Sequence, residues 1–128
     1  MSVVALVDDD SIFQFTATRL MESADLCKDI LHFENGGEAL EYLKLNSQNP
    51  EKLPDYLFLD INMPMIDGWM FLEDFVNLKN TLVKKFPIYM VSSSIDPRDI
   101  NRAKTFSEVT DFVIKPVTIE KFTQLLKN

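Results

Sequence analysis

The chain has 128 residues, 46% of them hydrophobic, which is enough for one domain with a real core and too few for two ordinary ones. Its formal net charge of −7 argues against gripping nucleic acid, because affinity for a phosphate backbone comes largely from Lys and Arg releasing counterions. No apolar run approaches the length of a membrane span, and Met1 leads directly into Val3 without the basic flank and cleavage site of a signal peptide. A soluble cytoplasmic protein with no membrane partner is expected. The one cysteine, Cys27, permits neither an internal disulfide nor a cysteine metal cage and reads as a small buried thiol.

Val3 to Val7 is short, wholly apolar and Val-rich, the pattern of a strand buried on both faces, and it ends in Asp8, Asp9 and Asp10. Ser11 can cap a following helix in which Phe13, Ala17, Leu20 and Ala24 line one face. Asp29 to Phe33 is a weaker strand. It holds the only histidine, His32, which has no second His or Cys nearby and reads as a partly packed side chain. Gly36 and Gly37 break the chain before a helix over Glu38 to Lys44, with Ala39, Leu40 and Leu43 inward. Asn46 to Pro54, polar and carrying two prolines, predicts a surface loop.

Tyr56 to Leu59 is too short for a helix and lacks polar alternation, so it predicts a buried central strand that delivers Asp60 at its carboxyl end. The chain then breaks at Pro64 and at Asp67-Gly68. In an open parallel sheet that edge faces the crevice where ligands bind, so Asp60 is either a functional carboxylate or simply the start of a turn. A helix from Gly68 to about Asn80 turns Phe71, Leu72, Phe75 and Leu78 inward, while Lys79, Lys84 and Lys85 read as a solvated surface. Pro87 to Val91 is a further strand, ending in Ser92, Ser93 and Ser94. Asp96-Pro97 starts a helix as a capping Asp followed by Pro at the first helical position. Asp111 to Ile114 is the last strand; Lys115-Pro116 follows, and Thr118 caps a helix with Ile119, Phe122, Leu125 and Leu126 inward.

This regular alternation of strand and helix predicts a doubly wound α/β domain over residues 1–128, a five-stranded parallel sheet with helices on both faces. With strand order 2-1-3-4-5, Asp8, Asp9 and Asp60 converge on one crevice, and Ser92 and Lys115 arrive from the fourth and fifth strands. Carboxylates a few ångströms apart destabilise one another's ionised forms unless something positive lies between them, and an all-oxygen site suits Mg²⁺. Such a metal can neutralise a phosphoryl group, Lys115 can hold a phosphate oxygen as a point charge, and Asp60 is then a nucleophile able to form an aspartyl phosphate. Taken singly, each member has a plainer reading: a helix-start acidic run, a turn serine, a surface lysine.

Val7-Asp8-Asp9, Leu59-Asp60 with Asn62, Pro64 and Asp67-Gly68, Val91-Ser92 and Lys115-Pro116 together resemble a response-regulator receiver domain of the CheY-like family, over essentially the whole chain. The resemblance implies that Asp60 accepts a phosphoryl group from a phosphohistidine on a sensor histidine kinase or a phosphotransfer protein. It implies that Asp9 binds Mg²⁺ directly, that Asp8 acts mainly through a metal-bound water, and that Asn62 contributes its backbone carbonyl. Ser92 takes the place of the hydroxyl that moves with the phosphoryl group, Lys115 that of the family's lysine, and the Lys115-Pro116 bond resembles one that is commonly cis. Phe112 stands where an aromatic rotamer, often Tyr, reports phosphorylation, so its swing would be driven by packing only. Asp10 is a third acid, read as a helix-start charge, and the loop before the central strand looks longer than usual. The resemblance further implies that partners read the surface of the fourth helix, fifth strand and fifth helix. Met1 and the Lys127-Asn128 end suit natural termini, so a stand-alone receiver is expected.

Two alternatives use a similar architecture. A haloacid-dehalogenase-like phosphatase also employs a strand-ending Asp with Mg²⁺, but wants a second Asp two residues later as acid/base, where this chain has Asn62. A flavodoxin-like flavin carrier needs a phosphate-cradling loop after the first strand, where three aspartates would repel the ligand.

Overall fold

The computed structural model describes residues 2–126, so the reading of Met1 and of Lys127-Asn128 as natural ends lies outside the described residues. Five strands, β1 (Val3–Val7), β2 (Asp29–Phe33), β3 (Tyr56–Asp60), β4 (Ile88–Ser92) and β5 (Val109–Ile114), form one parallel sheet in the order β2-β1-β3-β4-β5. Five helices alternate with them: α1 (Ser11–Ser23), α2 (Gly36–Leu45), α3 (Gly68–Leu78), α4 (Pro97–Lys104) and α5 (Ile119–Leu126). The predicted doubly wound topology is the one observed.

Period-two alternation divides the core between the two faces of the sheet. Ala5, Val7, Leu57, Leu59, Ile88 and Met90 meet α2, α3 and Ala103 of α4, whereas Val4, Leu6, Phe58, Tyr89, Val91 and Val113 meet α1 and α5. Because both faces are covered, the inner strands carry apolar side chains at every position before the polar residues Asp60 and Ser92 that end β3 and β4, and that is why they read as continuous hydrophobic runs.

Several local expectations are corrected. The cap of α1 is Asp10, whose carboxylate accepts from the amides of Ile12 and Phe13, and Ser11 is already helical. The buried face of that helix is Ala17 and Met21, with Phe13 and Leu20 half-buried and Ala24 exposed past its end. Gly36 and Gly37 do not precede α2 but form its first turn, capped by Asn35. Gly36 is buried there, and a Cβ on it would stand 2.7 Å from Ile66 Cγ2, so the small residue serves close packing. β5 starts two residues before the predicted Asp111, because the register shifts between Ile88 and Tyr89 and leaves Thr110 unmatched. Cys27 is half-buried, and His32 is exposed, its Nδ1 2.7 Å from Gln14 Oε1.

The loop before β3 lies on the surface as expected, but fully buried Leu53 anchors it. It is also stitched to the segment before β4. Val83 N donates to Ser47 O, and Lys84 Nζ reaches the Pro50 and Leu53 carbonyls at 3.0 Å and Asp55 at 2.8 Å. Lys79 pairs with Glu108. Of the three lysines read as solvated, two therefore cross-link elements, a role that needs tertiary partners and leaves no mark in local sequence.

Candidate functional site

β1 and β3 are neighbours, so the residues that follow them leave the sheet side by side at its carboxyl edge. Asp8 and Asp60 are buried there, 2% and 7% exposed, and Asp9 is exposed. One carboxylate oxygen from each of Asp8, Asp9 and Asp60 lies within 4.8 Å of the others. Lys115, delivered by the end of β5, brings its Nζ to 2.8 Å from Asp8 Oδ2 and 3.7 Å from Asp60 Oδ1. The Lys115–Pro116 peptide is cis, as the resemblance implies.

Burial sets the charge balance. It pushes the Asp60 carboxyl up to about 7, with the neighbouring charges of Asp8 and Asp9 adding to the rise and Lys115 opposing it. Asp8 is raised by burial as well, against the pull of Lys115 and of the Asp10 amide, which donates to Asp8 Oδ1 at 2.8 Å. For Lys115 burial works against the charged form, but the hydrogen bond to Asp8 and the charges of Asp60 and Asp8 outweigh it and hold its pKa above the ordinary lysine value.

The donor set fits a hard divalent cation. Three carboxylates within reach of one ion supply oxygen ligands, and the buried Asp8 Oδ2 has the Lys115 ammonium at 2.8 Å as its charge partner. One ammonium against three carboxylates leaves the crevice short of positive charge, which a divalent cation would supply.

The remaining residues singled out from the sequence fall around this centre. Ser92 is buried at the end of β4, next to β3, and its Oγ accepts from Ser94 N at 3.0 Å, while Lys115 N donates to Ser92 O at 2.8 Å. Asn62 is exposed in the loop after β3. Phe112 is half-buried and packs on the face that carries α2 and α3, away from α1. Gly68 closes the Asp60 loop: its amide donates to Ile61 O at 2.8 Å, and a Cβ would come within 2.6 Å of the Asp60 carbonyl oxygen.

Two neighbours escaped the sequence reading. Gln14, one turn into α1, donates from Nε2 to the carbonyls of Leu6, Asp8 and Phe33, fixing α1 against the ends of β1 and β2. Phe13 reads from its spacing as a core residue, yet its ring also lies under Lys115, with Nζ 4.5 Å from the centroid. A helical pattern reports only that a side chain faces inward; it carries no information on which charged group meets it.

Comparison with known proteins gives a consistent assignment. The response regulator receiver domain model matches residues 4–127. A two-component response regulator from Cytophaga hutchinsonii superposes with a TM-score of 0.86 at 30% identity, covering 96% of this chain and 92% of that one. The sensor histidine kinase CheAY of Helicobacter pylori is 30% identical over 98% of this chain, and the DNA-binding transcriptional regulator NtrC of Escherichia coli is 29% identical over 98%. The chain spans only 14% of the kinase and 24% of NtrC, so the likeness concerns one module of those longer proteins. The haloacid-dehalogenase-like reading finds no support beside this match, and Asn62 stands where its acid/base would be. Among the described residues no helix is long and apolar enough to cross a membrane. Family model, fold and strand order agree along nearly the whole length, and the chain belongs to the response regulator receiver domain family.

Proposed function

We propose that Asp60 is the phosphoacceptor of a two-component phosphorelay, taking its phosphoryl group from the phosphohistidine of a sensor histidine kinase or a phosphotransfer protein. One observation carries the reading: a buried carboxylate ends the central strand with two more carboxylates within 4.8 Å and an ammonium at 3.7 Å. An Asp60 oxygen forms the new P–O bond while the donor's P–N bond breaks and leaves its electron pair on the imidazole nitrogen. Asp60 attacks in its ionised form, so the residues around it must hold that charge.

Asp8, Asp9 and Asp60, with the backbone carbonyl of Asn62, would hold Mg²⁺, which when bound neutralises the carboxylates and the phosphoryl oxygens. Lys115 then holds one phosphoryl oxygen and the Ser92 hydroxyl another. Drawing these two residues toward Asp60 favours one of two arrangements of the segments that carry them, a shift of population with a readout at the surface of α4, β5 and α5. Phe112 lies on that route. A cavity of about 300 Å³ lined by Ile100, Ala103, Lys104, Phe112 and Ile114 gives a downstream protein partner an apolar foothold there.

The test is intact mass after incubation with a small phosphodonor such as phosphoramidate, with and without Mg²⁺. A metal-dependent gain of one phosphoryl mass in wild type, absent in Asp60→Asn, is expected. Labelling of Asp60→Asn at the wild-type level would place the acceptor elsewhere.

A further inference from the structure

We propose that Phe13 is a positioning residue for Lys115, its ring face acting as a neutral platform that holds the ammonium over the acidic crevice. The inference rests on the phosphoacceptor reading and adds to it a residue outside the acidic and hydroxyl set.

Lys115 has three partners at its charged end: Asp8 at 2.8 Å, Asp60 at 3.7 Å and the Phe13 ring centroid at 4.5 Å. The first two change when the site works, since both are candidate metal ligands and Asp60 loses its negative oxygen to the new P–O bond. The ring does not titrate, does not ligate and keeps its quadrupole whatever the acids do. It is therefore the contact that can keep the ammonium aimed into the crevice while its carboxylate partners are reassigned. A four-carbon side chain that loses its anchors regains rotamer freedom, and a platform beneath the nitrogen reduces that loss of aim.

The ring is itself fixed. Asp10 caps α1 by accepting from the Phe13 amide at 3.2 Å, which sets the first turn against the end of β1. Phe13 then packs against the core formed by α1, α5 and their sheet face. Beside it, a cavity of about 310 Å³ between α1 and the start of α5 is lined by Asp10, Phe13, Thr16, Lys115, Val117 and Phe122, and the Lys115 side chain is only 15% exposed. Partial desolvation of this kind strengthens a cation–π contact.

Phe13→Leu keeps apolar volume and removes the ring face, and Phe13→Tyr restores it. The measurements are the rate of phosphorylation by phosphoramidate with Mg²⁺, the urea midpoint, and the NMR shifts of the Lys115 Cε protons, which the ring current moves upfield. Expected for Phe13→Leu are a rate lower by about three- to tenfold, the factor that a contact of this type is worth, and a downfield move of those protons, both reversed in Phe13→Tyr. A wild-type rate in Phe13→Leu, unmoved Lys115 protons, or a lower rate that Phe13→Tyr fails to restore would overturn the inference and leave the phosphoacceptor reading standing. If wild type gains no phosphoryl group, the phosphoacceptor reading fails and the inference with it.

Discussion

Lys115 Nζ stands 2.8 Å from Asp8 and 3.7 Å from Asp60, so the ammonium is nearer to the acid that would hold metal than to the proposed acceptor. Asp60 consequently keeps an incompletely compensated charge in a buried place, and burial with Asp8 raises its carboxyl to about 7. Function and stability pull in opposite directions at this residue.

The first prediction is a pH-dependent stabilisation by Asp60→Asn in chelator-treated protein. A carboxyl whose pKa is raised on folding binds its proton more tightly in the folded state, so folding stability falls as pH rises from the ordinary carboxylate value of 3.8 through about 7. Removing the charge should stabilise the fold at pH 8 by roughly 1–3 kcal/mol, the crevice mouth screening part of the full effect, and by little at pH 4. Urea midpoints at the two pH values check this, and an equal difference at both would contradict it.

Mg²⁺ should reverse that destabilisation. A ligand bound only by the folded state adds RT ln(1 + [L]/Kd), about 2.7 kcal/mol at a hundredfold excess over Kd. Asp9 is exposed and belongs to the acid cluster, so Asp9→Asn should leave metal-free stability within about 0.5 kcal/mol of wild type while abolishing most of the Mg²⁺-dependent rise in Tm. Retention of the full rise would remove Asp9 from the ligand set.

Lys115→Ala leaves two buried acids without their cation. The variant should lose about 1–3 kcal/mol at pH 8, more than at pH 5, where the acids escape the loss by taking up protons. It should still gain a phosphoryl mass, yet the amide resonances of α4, β5 and α5 should not shift on phosphorylation as those of wild type do. Wild-type shifts would show that Lys115 does not transmit the switch.

Gly68→Ala tests the closeness of the loop to Asp60. A Cβ there would meet the Asp60 carbonyl oxygen at 2.6 Å and the Ile61 Cα at 3.0 Å, both backbone atoms that cannot step aside. A destabilisation of about 1–3 kcal/mol is expected in the urea midpoint, with a slower phosphorylation because the Asp60 loop must shift. A neutral substitution would mean that the loop has slack.

The fold was legible in the chain because buried parallel strands advertise themselves as short apolar runs, and Val3–Val7, Tyr56–Asp60 and Ile88–Ser92 all lie where such runs stand. Among the candidate site residues, Asp8, Asp60, Ser92 and Lys115 were legible for a related reason, since each is the first polar group after such a run. Less legible were elements whose signal is shared with neighbours: Asp10 and Ser11 both suit a helix cap, and only the backbone turn decides that Asp10 accepts the two amides.

By itself the sequence determined the alternation of strands and helices, the acids at the ends of β1 and β3, and the lysine after β5, because periodicity and chain breaks are local properties. Tertiary structure alone decided that Lys115 lies closer to Asp8 than to Asp60, that Phe13 turns its ring to that ammonium, and that Lys84 ties two loops together. Those are distances between residues far apart in the chain. They follow from strand order, register and burial, which no window of sequence contains.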